Sequence, residues 1–425
     1  MAHTERNNKN SKNLSGAKTN IGIFEEGMKY LMNTYTRQPV VFEKSKMQYL
    51  WDVEGNKYTD FTSGYGCLNV GHSNNEVVAA IKKQVSKIIQ PSNIYFSESQ
   101  VMLAKKLSVL TGFGGKVFFA NSGAEAIEGA IKLARKYSTD KYNKQRYEII
   151  SFQNSFHGRT FGALSATAQA QKQALFEPLL QGFKYASLND LNSVIGAVNA
   201  QTCAILIELI QGEGGINVSD KNFIKSLGKI CKEKDILLII DEIQTGFGRT
   251  GKLFAYENYD IVPDILVLAK SLGGGMPIGA IIARDEINQA FVPGTHGSTF
   301  GGNAASCAAG FAVLNYFEKY ELIKKSQEIG KYLLFKLNKL KEKYTGAVKE
   351  VRGMGLMLAI EFNLPIAGEL ISSGLENKLV LNKVSDFTIR FLPSLVINKK
   401  DVNNLIAFLD KKLKGTDNNG KDKKN

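Results

Sequence analysis

The chain is predicted to be an α/β protein, with a large domain on a mostly parallel sheet followed by a smaller α+β domain. Three observations predict this. Short continuous apolar runs at residues 148–152, 203–208, 236–240, 265–268 and 278–283 read as strands buried on both faces. Amphipathic stretches such as 124–137 and 221–233 separate some of them, the alternation expected of a sheet covered by helices on both sides. The pattern then changes near residue 300, where the long helical segments 303–317 and 322–344 lead into a shorter mixed unit. At 425 residues the chain exceeds one ordinary core, so two domains are expected.

Taken in order, residues 1–20 form a polar, Asn/Lys-rich tail. Residues 21–70 form an N-terminal arm expected to pack on the small domain. It comprises a short helix at 21–32, an extended piece at 35–41 and a hairpin at 48–58 around Glu54-Gly55-Asn56. The large domain spans 71–320, with helices at 76–89 and 99–110 and a strand at 117–120 ahead of the alternating pattern. The small domain spans 321–412, with strands near 356–362 and 388–391 and a closing helix at 401–413. Residues 413–425 are a basic tail expected to be disordered.

The net charge of +14 invites a nucleic-acid reading, but about half of that excess lies in the two tails. A nucleic-acid-associating protein with a vestigial cofactor site is the alternative from another class; the main reading has no nucleic-acid partner. Cys67, Cys203, Cys231 and Cys307 form no CxxC pair, and His3, His72, His157 and His296 show no metal-ligand spacing. With no span-length apolar run and no signal-peptide core, a soluble protein of the reducing cytoplasm with no membrane partner is expected.

The chemistry gathers at the ends of the predicted strands, where open α/β sheets bind ligands. Residues 265–268 deliver Lys270 from an apolar run into the turn Gly273-Gly274-Gly275. A lysine there is desolvated unless paired, which lowers its pKa and makes it nucleophilic toward a carbonyl. Residues 236–240 end in Asp241, a carboxylate that needs a firm partner, and a protonated pyridine nitrogen is one that fits. Residues 117–120 end in Asn121-Ser122-Gly123-Ala124, which either holds a phosphate at a helix N-terminus or supplies Ser122 as a simple N-cap. An amine, an anion for a ring nitrogen and a phosphate anchor are together what pyridoxal 5'-phosphate requires. Two literal matches mislead: Gly246 to Gly251 fits G-x-G-x-x-G and Gly246 to Lys252 fits G-x-x-x-x-G-K. The first does not follow its strand directly, and the second carries Leu253 where a Ser or Thr must reach magnesium.

From about residue 35 to 410 the chain closely resembles the class III, fold type I aminotransferases, in the acetylornithine and ornithine aminotransferase branch. The resemblance rests on Asn121-Ser122-Gly123-Ala124-Glu125-Ala126, Phe156-His157-Gly158-Arg159-Thr160, Gln211-Gly212-Glu213-Gly214-Gly215, Asp241-Glu242-Ile243-Gln244-Thr245-Gly246, Ala269-Lys270 and His296-Gly297-Ser298-Thr299-Phe300-Gly301-Gly302-Asn303. It implies that Lys270 forms the Schiff base with the cofactor and shuttles the proton, while Asp241 keeps the pyridine nitrogen protonated. Gln244 would bond the ring hydroxyl, and Phe156 would stack on the ring with His157 beside it. Ser122, Gly123 and Ala124 would grip the phosphate, joined by Thr299 from a neighbouring subunit, so a homodimer with a shared site is implied.

For substrates, the resemblance gives Arg159 the α-carboxylate of the amine donor and Arg390 that of 2-oxoglutarate, with Glu213 masking Arg390 during the first half-reaction. Tyr65 stands where acetylornithine enzymes usually carry an aliphatic residue and ornithine enzymes a Tyr. Tyr35 aligns with a substrate-contacting Tyr of the ornithine branch. His157 points the other way, because ornithine enzymes tend to have Trp there. The donor expected is N-acetylornithine, with ornithine, 4-aminobutyrate, lysine or a diamine as alternatives.

Overall fold

The computed structural model of the chain describes residues 18–143 and 146–421, with side chains through residue 414. Residues 1–17 and 422–425 of the two expected tails lie outside the described residues. The closing helix, expected over 401–413, extends as Lys399–Lys421, so the tail expected from 413 begins as helix. Leu405, Leu409 and Leu413, four residues apart and fully buried, tie its one face to the core.

At the centre is a seven-stranded sheet in the order Lys116–Ala120, Gly279–Ala283, Ile265–Leu268, Leu237–Asp241, Thr202–Ile207, Glu148–Phe152, Phe183–Ala186. The last five in this order, from Ile265–Leu268 onward, are mutually parallel, and Gly279–Ala283 runs antiparallel to both of its neighbours. Successive side chains of a strand face opposite sides, and the core divides accordingly. Ile150, Ile205, Ile207, Leu238, Ile240, Leu266 and Leu268 join one apolar cluster, whereas Ile149, Ala204, Leu206, Leu237, Ile239, Ile265 and Val267 join the other. Each fully buried Leu, Ile or Val stabilises by roughly 1.5–3 kcal/mol relative to exposure, so these strands anchor the molecule.

A four-stranded antiparallel sheet, Val348–Met354, Met357–Phe362, Thr388–Phe391 and Asn382–Ser385, follows the helices Ala304–Lys319 and Leu322–Lys343. The N-terminal hairpin Tyr49–Asp52 and Lys57–Asp60 turns at Gly55, whose φ of +84° suits glycine, and Lys57–Asp60 pairs with Leu379–Val380. The strand Phe183–Ala186 was not anticipated. It closes one edge of the large sheet and, with Lys184 and Tyr185 exposed, lacks the apolar run that marks the central strands.

Candidate active site

Because Gly279–Ala283 reverses direction between Ile265–Leu268 and Lys116–Ala120, those two strands run the same way. The C-terminal ends of Lys116–Ala120, Glu148–Phe152, Thr202–Ile207, Leu237–Asp241 and Ile265–Leu268 therefore open on one edge of the sheet. A cavity of about 430 Å³ lies there, lined by residues at or just beyond the end of each of these five strands, among them Ser122, Phe156, Glu208, Asp241 and Lys270.

Asp241 and Lys270 come from neighbouring strands. Asp241 is the last residue of its strand rather than the first beyond it, and it is buried. Its Oδ1 accepts the Ile243 N–H at 2.9 Å, and its Oδ2 lies 2.8 Å from His157 Nδ1. The His157 proton belongs on Nδ1, since Nε2 is buried with no partner and a proton there would have no acceptor. Lys270 opens a single 3₁₀ turn with a φ of +43°, a conformation uncommon for a side-chain-bearing residue. It makes no hydrogen bond or ion pair among the described residues. Desolvation holds its ammonium below the ordinary lysine range, with Glu213 pulling the other way.

At the opposite end, Ser122 caps the 20-residue helix Gly123–Tyr142, its Oγ accepting the Glu125 N–H at 3.2 Å. The capping role and a place in the cavity wall coexist: Ser122, Gly123 and Ala124 all line the cavity at the positive end of that helix. Backbone is pressed close here. A Cβ on Gly158, whose φ is +147°, would fall 2.8 Å from the Cβ atoms of Ala124 and Ala163.

Arg390 is fully buried, its Nη1 donating to Glu213 Oε1 at 2.6 Å and to Gly212 O at 2.9 Å, its Nη2 to Asn382 Oδ1 at 2.8 Å. Burial alone would raise the Glu213 carboxyl, but the Arg390 charge overrides it and the group sits below its ordinary value. Gln244 lines the cavity with Oε1 turned to Arg390 Nη1 at 3.3 Å. Tyr65 has the Arg390 guanidinium 5.7 Å from its ring centre. Arg159 lies at the cavity wall, 5.6 Å from the Phe156 ring centre, and makes no ion pair among the described residues.

Four expected residues are not among those lining the cavity of their own chain: Arg390, which bonds to the lining residues Glu213 and Gln244, Tyr65 beside it, Tyr35 and Thr299. Tyr35 stands 71% exposed on the arm with Arg37 over its ring, and Thr299 lies on an exposed loop held through its carbonyl by Gln90. Conversely, Glu208 was passed over. It directly follows an apolar strand as Asp241 ends one, and its Oε2 accepts the Phe156 N–H at 2.9 Å, which fixes the residue beside the cavity. Burial, with Asp241 nearby, raises its carboxyl above the usual range. The two misleading glycine motifs are also resolved. Within both stands Arg249, wholly buried, donating to Leu356 O, Pro393 O, Ser63 Oγ and Asn69 Oδ1, so this loop is a packed joint rather than a phosphate cradle.

The family model "Aminotransferase class-III" matches residues 30–413. The chain belongs to the class III aminotransferases. It is 50% identical over 382 residues to acetylornithine aminotransferases of Caldanaerobacter subterraneus and Aquifex aeolicus, covering 90% of this chain and 96% and 99% of theirs. Among solved structures, ornithine aminotransferase from Toxoplasma gondii aligns with a TM-score of 0.90 at 30% identity over 95% of this chain and 96% of its own. Acetylornithine aminotransferase from Elizabethkingia anophelis aligns with 0.83 at 34% identity over 93% and 99%.

Class III aminotransferases depend on pyridoxal phosphate, and so does this transaminase. The residues present fit that group. An unpaired, desolvated amine and a carboxylate with lone pairs to spare sit on adjacent strand ends, Phe156 and Ile243 give the cavity apolar walls, and a helix N-terminus supplies amides for an anion. Among the described residues no group of His, Cys, Asp and Glu is arranged to hold a metal ion, and no helix is long and apolar enough to cross a membrane.

Proposed function

We propose that this aminotransferase moves the terminal amine of N-acetylornithine to 2-oxoglutarate, giving the semialdehyde and glutamate, as a cytoplasmic homodimer. The observation that carries this is the unequal state of two arginines, Arg159 in the cavity wall and Arg390 bonded to Glu213 and Gln244, which line it. Arg390 is neutralised by Glu213, whereas Arg159 has no counter-ion among the described residues. With Arg390 masked, Arg159 is the cation open to a donor's α-carboxylate, which it grips as a planar fork. The donor then lies with its far amine toward Lys270. When Glu213 moves aside, Arg390 takes the α-carboxylate of 2-oxoglutarate for the return half-reaction.

Bound pyridoxal phosphate supplies an aldehyde for amine exchange and a ring that withdraws electrons from the carbon losing its proton. The chain does the rest. Lys270 Nζ would hold the cofactor and, once displaced, take the proton from the substrate carbon, and Asp241 would keep the ring nitrogen protonated, itself steadied by His157 Nδ1 and the Ile243 amide. Ser122, Gly123 and Ala124 bind the phosphate, and Gln244 the ring hydroxyl. Tyr65, beside Arg390, borders the substrate.

The dimer reading is supported by an exposed apolar patch: Ile94, Tyr95, Phe96 and Phe300 stand largely open, Phe96 at 91%. Asn93, in the same segment, donates to Ser298 O and Gly301 O on either side of Thr299. A patch of this kind marks an interaction surface, and covering it with a second copy brings the Thr299 loop to the partner's phosphate end. Four unpaired cysteines support a reducing compartment.

Single-turnover mixing of the holoenzyme with N-acetylornithine, ornithine and 4-aminobutyrate, followed by absorbance, tests the donor. N-acetylornithine is expected to react with the highest kcat/KM. If 4-aminobutyrate reacts best, the donor assignment is wrong.

A further inference from the structure

Behind the cavity wall that carries Arg159 and Phe156 stands a second cation. Lys172, in the short helix Ala170–Gln173, places its Nζ 5.8 Å from the centre of the Phe156 ring, the same ring that Arg159 approaches at 5.6 Å. It is fixed there. Its ammonium donates to Gln169 Oε1, and Gln169 Nε2 in turn donates at 2.9 Å to the carbonyl of Ser155, the residue before Phe156. Neither Lys172 nor Arg159 has an ion-pair partner among the described residues. The carboxylate that acts on Lys172 is Glu213, already committed to Arg390 at 2.6 Å. Half-burial depresses the Lys172 ammonium and the Arg159 charge depresses it further, so the two cations feel each other.

Two uncompensated cations beside one aromatic ring favour an anion and disfavour a third positive charge. At the outer end of the cavity this bears on what the donor carries next to its α-carboxylate. A free amino acid brings an α-ammonium there, which faces both cations. An N-acylated amino acid brings a neutral amide, whose carbonyl oxygen accepts from an ammonium.

We propose that Lys172 is a specificity-determining residue which, beside Arg159, makes the outer end of the donor site select a carboxylate flanked by an acylamino group and reject one flanked by a free ammonium. This rests on the reading of Arg159 as the donor-carboxylate site. It adds the residue that separates acylated from free diamino acids. Removing the charge while keeping the stem weakens the acylated ligand by one charge-assisted hydrogen bond and relieves the repulsion on the free one, so the two effects add in the ratio.

The test uses calorimetry on the holoenzyme with N-acetylnorvaline and norvaline, which share the α-carboxylate, differ in the acetamido or ammonium group, and lack the transferable terminal amine. Wild type is expected to prefer N-acetylnorvaline by about tenfold or more, and Lys172→Met to reduce that preference about tenfold. Lys172→Arg should retain it, and added salt should erode it more in wild type than in Lys172→Met, where Arg159 alone remains. No preference in wild type, or a preference that Lys172→Met and Lys172→Gln leave intact, overturns the proposal. Turnover of N-acetylornithine by wild type is scored separately: its absence removes the donor reading, whereas the binding ratio still reports on Lys172.

Discussion

Glu213 Oε1 lies 2.6 Å from Arg390 Nη1, and the two side chains are unequally buried: the guanidinium is 1% exposed and the carboxylate 32%. Arg390 is held by four acceptors, Gly212 O, Asn382 Oδ1, Gln244 Oε1 and Glu213. Glu213 is held by Arg390 alone among the described side chains. The pair can therefore open by movement of the glutamate into solvent, with the arginine left in place, which is the asymmetry a masking residue needs.

Glu213→Ala unmasks Arg390 permanently. The kcat/KM for glutamate relative to N-acetylornithine is expected to rise about tenfold, because a second carboxylate fork now competes for the donor. An unchanged ratio in steady-state assays with both donors would show that Glu213 does not gate the site.

Asp241→Asn keeps the side chain's size but leaves one carbonyl oxygen to serve the Ile243 amide, His157 Nδ1 and the ring nitrogen. The dissociation constant for pyridoxal phosphate, measured by fluorescence on dialysed protein, is expected to rise by about tenfold or more, with the fold intact by circular dichroism. Wild-type affinity in this variant would remove Asp241 from the cofactor site.

Gly158→Ala sets a Cβ 2.8 Å from two other Cβ atoms at a φ of +147°. The strain and overpacking are expected to cost roughly 1–3 kcal/mol, read as a lowered denaturation midpoint. Since Ala124 is one of the atoms displaced, cofactor uptake should weaken as well.

The pH dependence of stability is expected to carry a signature from Asp52. Burial pushes its carboxyl up, but hydrogen bonds from Asn56, Asn20 and Tyr58 outweigh this and bring it down to about 2. A carboxylate depressed in the folded state contributes stability that is fully present above its unfolded value near 3.9 and is lost as pH falls toward 2. Denaturant midpoints between pH 5 and pH 2 should therefore fall more steeply in wild type than in Asp52→Asn. Parallel curves for the two proteins would contradict this.

The central strands and the residues at their tips were legible because buried parallel strands write continuous apolar runs, and a charge placed at the end of such a run stands out. Lys270 and Asp241 announced themselves in this way. Glu208 carried the same signal but read as the last residue of its strand. Edge elements were opaque: Phe183–Ala186 and Val348–Met354 mix charged and apolar residues because one side meets solvent. The joint at Arg249 and the pairing of Lys172 with Arg159 depend on segments distant in sequence or on a turn too short to show periodicity. No local pattern records them. Tyr35 and Thr299 took their expected roles from family likeness, and neither reaches the cavity of its own chain.

The most direct test of the account is borohydride reduction of the holoenzyme followed by peptide mapping. One reduced pyridoxyl phosphate on the peptide containing Lys270, absent from Lys270→Ala, is the result predicted. Label on a different lysine, or a protein that takes up pyridoxal phosphate yet gives no label at Lys270, would contradict it.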